Sequence, residues 1–96
     1  MRSIIDYETA ELSAIREAIA AGRHEPLVEL FVDYLNFFEF IASLWKLGQL
    51  SETEIAMLFE YYLDNLGEHD FILSFITDEG FENLSGLRVA LKKRKA

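Results

Sequence analysis

Two histidines, one carboxylate on a greasy segment and a long run of acids are the groups in this chain that could do chemistry. His24 stands beside Glu25, and His69 between Glu68 and Asp70. Helical di-metal sites use Glu-x-x-His pairs on facing helices, and zinc proteases use His-Glu-x-x-His. Neither histidine has a glutamate three residues before it, so both read as solvated loop side chains. Glu68-His69-Asp70 gathers three polar ligands and would hold at most an adventitious cation; no metal or cofactor is expected there. The chain has no cysteine, which removes disulfides, thiolate zinc sites and thiol catalysis. It has no Gly-x-Ser-x-Gly turn and no glycine-rich phosphate loop.

Glu39 lies at the edge of an apolar arc, near Val32, Leu35 and Lys46. A half-buried carboxylate that stays protonated is a general acid. More commonly such a group bonds a neighbouring helix end or an arginine, with Arg16 and Arg88 as candidates here. No enzyme is expected. The competing class is a helical metal or carboxylate enzyme built on Glu39 or on the Glu68-His69-Asp70 corner.

Charge is the most informative pattern. Residues 47–87 hold no lysine or arginine in 41 positions, against nine acids. Residues 88–95 then supply Arg88, Lys92, Lys93, Arg94 and Lys95. Residues 1–87 therefore carry 17 acids and 4 bases, a charge of −13, and the tail carries +5. Glu60, Asp64 and Glu68 recur every four residues, so they share one helical face with Met57 and Tyr61. Like charges at that spacing cost an isolated helix about 0.2–0.5 kcal/mol per pair. The bland reading is a solvated face that the tail partly neutralises. The functional one is a docking surface for a basic protein, with acids for steering and Tyr61 and Met57 as apolar anchors. A net charge of −8 argues against direct nucleic-acid binding, despite the basic tail.

These side chains have to be positioned by helices. With 51% hydrophobic residues the chain is not a disordered tail, and 96 residues make one domain, 1–96. A first helix spans about 6–21, through Ile5, Leu12, Ile15 and Ile19, with Asp6 as N-cap and Gly22 as stop. Pro26 opens a second, about 26–47, whose apolar arc includes Leu27, Leu30, Phe31, Tyr34, Leu35, Phe38, Ile41 and Trp45. So wide an arc needs neighbours on both sides and marks the central helix. Gly48 ends it. Ser51-Glu52-Thr53-Glu54 is a capping box for a third helix, 52 to about 66, facing inward through Ile55, Leu58, Phe59, Tyr62 and Leu66. Residues 70–77 have strand-like composition but no strand to pair with, so a short buried helix is expected. The last helix, 81–94, buries Phe81, Leu84, Leu87 and Leu91.

The fold expected is therefore all-α, a compact bundle of four to five helices. The stretch from Leu27 to Trp45 contains Glu29, Asp33 and Glu39, each costing roughly 2.5–3.5 kcal/mol at a bilayer centre. No membrane span, no signal peptide and a cytoplasmic location are expected.

The run Asn36-Phe37-Phe38-Glu39, then Gly48-x-Leu50, an acidic helix, and Phe81-Glu82-Asn83-Leu84 before a basic end resembles a bacterial family of small helical proteins. That family is known only as a domain of unknown function. The resemblance covers roughly residues 24–94 and implies an all-helical fold. It implies no activity and transfers no catalytic residue. The chain departs from it in lacking a transmembrane segment and in its short fourth helix.

The function expected is a non-enzymatic protein–protein interaction module acting on a partner with a basic surface. Narrower versions are a phage or mobile-element antagonist of a nucleic-acid-binding defence complex, in the manner of anti-CRISPR proteins, and an antitoxin or regulatory subunit. Phe40, Leu47, Met57, Tyr61 and Val89 lie off the apolar faces, and this excess points to a homodimer.

Overall fold

The computed structural model describes residues 9–95, which form five helices in the order α1 (Thr9–Ala20), α2 (Pro26–Lys46), α3 (Glu52–Leu66), α4 (Asp70–Asp78) and α5 (Glu82–Lys95). No strand occurs among the described residues, and the fold is an all-α bundle. None of these helices is long and apolar enough to cross a membrane. The expected cap at Asp6 and the apolar Ile5 lie outside the described residues.

Local chemistry sets the boundaries. Ser51 Oγ accepts from the Glu54 amide at 3.1 Å, and Glu54 Oε1 accepts from the Ser51 amide at 3.0 Å, closing the capping box of α3. Those hydrogen bonds hold the Glu54 carboxyl below its ordinary value. Gly48 and Gly80 both have φ of 77°, a conformation that side chains with a Cβ rarely adopt, and they turn the chain after α2 and α4.

The core has α2 and α5 as its closest-packed pair, and α5 also touches α3 and α4. The expected central helix thus shares its role. Ile15, Phe31, Leu35, Phe38, Ile55, Leu66, Ile72, Leu84 and Leu87 are fully buried. Aromatic rings fill the space between α2 and α3. Phe37 and Phe38 each stand 5.8 Å from Phe59, edge to face, and Phe38 is 6.3 Å from Tyr62. Rings this large hold the two backbones apart while keeping the gap filled.

Three inward assignments need correction. Leu58 is exposed, and so is Leu30. Relative to Ile55, Leu63 stands about 80° to one side of α3 and Leu58 about 60° to the other. Helix α5 covers the Leu63 side, where Leu63 and Leu91 line one cleft, and leaves Leu58 bare. Trp45 is half-buried at the edge of the core, its ring 3.8 Å from where a Cβ on Gly86 would stand.

Candidate functional site

The outer side of α3 holds four of the five residues expected to meet a partner, Met57, Glu60, Tyr61 and Asp64; the fifth, Glu68, lies in the turn beyond its end, because the helix stops at Leu66. Met57 is 81% exposed and Tyr61 56%, and Leu58 between them is 63% exposed. Residues 57, 58 and 61 share one sector of the helix, so the three form a continuous apolar stripe. The ring of Tyr61 packs edge-on to Tyr62 at 5.7 Å, which ties the stripe to the aromatic layer beneath. Leu58 was missed in the sequence, although a signal was present. Ile55 to Phe59 is a run of five apolar residues, more than any single helix face can bury.

The acids do not stand as open as the sequence implied. Lys95 Nζ lies between Glu60 Oε1, at 3.1 Å, and Asp64 Oδ2, at 2.5 Å. The hydrogen bonds to Asp64 and then Glu60 hold the ammonium above its ordinary value. Arg94 Nη1 donates to Thr53 Oγ1 at 2.9 Å. The last turn of α5 is therefore laid along the acidic edge of α3, as the bland reading of the charge pattern had it for this edge. All three acids keep substantial contact with water, and exposed ion pairs are typically worth about 0–1 kcal/mol, so the tail is held but exchangeable. Glu68 is exposed at the end of α3, on the rim of a cleft that Arg88, Lys92 and Lys95 also line.

Arg88 approaches the C-terminal end of α3. Its guanidinium fills the space beside Gly67, where even a Cβ would overlap it. Burial lowers its pKa from the ordinary value, and the nearby charge of Asp64 works the other way. Helix α3 has no basic residue in its own last turn, and Arg88 brings a positive charge to that end.

Glu39 bonds a helix end, one of the two arrangements its position allowed. Its Oε1 accepts from the backbone amide of Leu84 at 2.9 Å. Leu84 is the third residue of α5, an amide that a capping side chain normally serves, and the residue before α5 is Phe81, whose side chain has no acceptor. The two histidines sit apart. His24 is exposed, while His69 is half-buried with its ring 6.1 Å from Phe71. Among the described residues no three His, Asp or Glu side chains converge to hold a metal ion.

No family model, curated protein or solved structure matches the chain.

Proposed function

We propose that the chain is a non-enzymatic protein–protein interaction module whose contact surface is the outer side of α3, and that its partner presents a basic surface. The observation that carries this reading is the exposed stripe of Met57, Leu58 and Tyr61 flanked by Glu54, Glu60 and Asp64. Exposed large apolar side chains grouped on one helix face are the usual anchors of an interface. The acids select the partner's sign. Two copies packed through α3 would bring like charges together, whereas a basic surface is drawn to them and oriented by them. Lys95 occupies part of that acidic edge, so the partner displaces it on docking. Proteins that handle phosphates present such basic surfaces, which keeps an antagonist of a nucleic-acid-binding complex within the class proposed.

The test is affinity capture from the native host with the parent chain and with Leu58→Asp/Tyr61→Ala as baits. A protein retained by the parent and lost from the variant supports the surface. Identical sets retained by both would remove α3 from consideration. With the partner in hand, reversing Glu60, Asp64 and Glu68 to lysine should slow association at low salt. Lys95→Ala should quicken it, because the acids are then uncovered.

A second copy of the chain is the second reading, and a separate observation favours it. Phe40 on α2 and Leu47, the residue that caps its C-terminus in helical conformation, are both exposed and seven residues apart, hence on one stripe two turns long. That stripe is clear of the α3 acids.

A further inference from the structure

We infer that the cleft between the end of α1, the start of α2 and the end of α4 binds a small amphiphilic amine, an apolar body carrying one ammonium group. This site is separate from the α3 surface and does not depend on it. The cleft encloses about 590 Å3, within the roughly 300–1,000 Å3 of small-ligand sites. Its floor is apolar. Val28 and Phe81 are buried there, and Ile19, Val32 and Phe75 are half-buried with part of each side chain turned to the opening.

Size and shape limit the occupant. Helix α2 contributes only Val28 to Asp33, five steps of about 1.5 Å or about 8 Å in all. A docked partner helix anchors at i, i+3 or i+4 and i+7, which needs more than ~10 Å of groove. The loop at Gly22, Arg23 and His24 closes one end. The space suits a compact molecule.

Charge then selects its sign. Glu29 and Asp33, one turn apart, stand on the α2 rim, and Glu79 stands on the α4 side. Arg23 also lines the cleft, but its guanidinium is 3.4 Å from Glu25, which offsets it locally. The floor alone would accept any apolar molecule. Carboxylates on two sides of the opening repel an anion and favour a cation whose apolar end reaches the phenyl rings of Phe75 and Phe81.

The experiment is an NMR titration of the 15N-labelled chain with phenethylammonium, 2-phenylethanol and 3-phenylpropionate, which share a phenyl body and differ in charge. Saturable shifts are expected in the amides of residues 19–33 and 75–81. The dissociation constant for phenethylammonium should be at least ~10-fold lower than for 3-phenylpropionate, with 2-phenylethanol between them. In Glu29→Gln/Asp33→Asn, two exposed positions, the preference should fall below about 3-fold, although the net charge moves only from −8 to −6. A preference that survives the double variant would come from the overall charge of the molecule and would overturn the site. So would absence of saturation, equal binding of the three probes, or shifts centred elsewhere. Binding of the peptide Ala-Lys-Ala as tightly as phenethylammonium would replace the small amine with a protein lysine and overturn the assignment as well.

Discussion

Glu39 is a carboxylate in the second helix whose partner is an amide in the fifth. Removing it by Glu39→Ala leaves the start of α5 without an acceptor and should cost about 1–2 kcal/mol, between a lost cap and a lost charge-assisted hydrogen bond. Glu39→Gln keeps an oxygen in place and should cost less than half as much. Urea denaturation followed by circular dichroism measures both, and equal losses would mean that the bond to Leu84 contributes nothing. The sequence offered this arrangement only as one of two, because periodicity places Glu39 at the edge of an arc without saying which neighbour arrives there. Trp45 and Leu58 show the same boundary. A helical wheel assigns a direction to each side chain, but burial depends on which helix lies in that direction, and for Leu58 none does. Trp45, half-buried, should lose about 2 kcal/mol on truncation to alanine, below the ~3–5 kcal/mol of a fully buried aromatic.

At the level of elements, the helices were legible where their stop and start chemistry is local. The capping box at Ser51, the proline at the start of α2 and the glycines after α1, α2 and α4 mark boundaries within a few residues of sequence. What was illegible is the help one helix end receives from another element. Helix α5 borrows its cap from Glu39, and α3 receives a positive charge from Arg88. Gly67 makes the second dependence measurable. Its φ of −73° is an ordinary helical value, so alanine there should gain about 0.4–1 kcal/mol from reduced freedom of the unfolded chain. In the parent, the new methyl group has to push Arg88 aside, and the gain should vanish or turn into a loss. In an Arg88→Ala background the gain should return in full. A double-mutant cycle from thermal or urea melts gives the coupling, expected at about 0.5–1.5 kcal/mol. No coupling would mean that Arg88 relocates without consequence.

For the molecule as a whole, composition and periodicity were enough to reach an all-α bundle, because every strong apolar repeat is helical and each has a punctuated end. The charge pattern was visible too, in its two blocks. Its folding back was not: the +5 tail returns to the acidic edge of α3 through Lys95 and Arg94, a pairing between segments 31 and 41 residues apart. Assembly is the open property at this scale. If the Phe40 and Leu47 stripe joins two copies, light scattering at micromolar concentration should give a mass near twice 11.1 kDa, and Phe40→Glu should return it to the single value. A parent mass near 11.1 kDa across that range retires the dimer.

The bond from Glu39 to Leu84 also bears on the order in which the chain folds. Its ends are 45 residues apart, and closing a loop of that length costs roughly 3 kcal/mol of chain entropy, more than one cap returns. The bond therefore forms only after burial of Leu84, Leu87 and Leu91 in the shared core has docked α5. Of the five helices α5 follows the other four in the chain, and until it docks, the amide of Leu84 has no carboxylate to accept from it. Glu39→Ala should accordingly leave the refolding rate nearly unchanged and appear as faster unfolding, the mark of a contact made on the native side of the barrier.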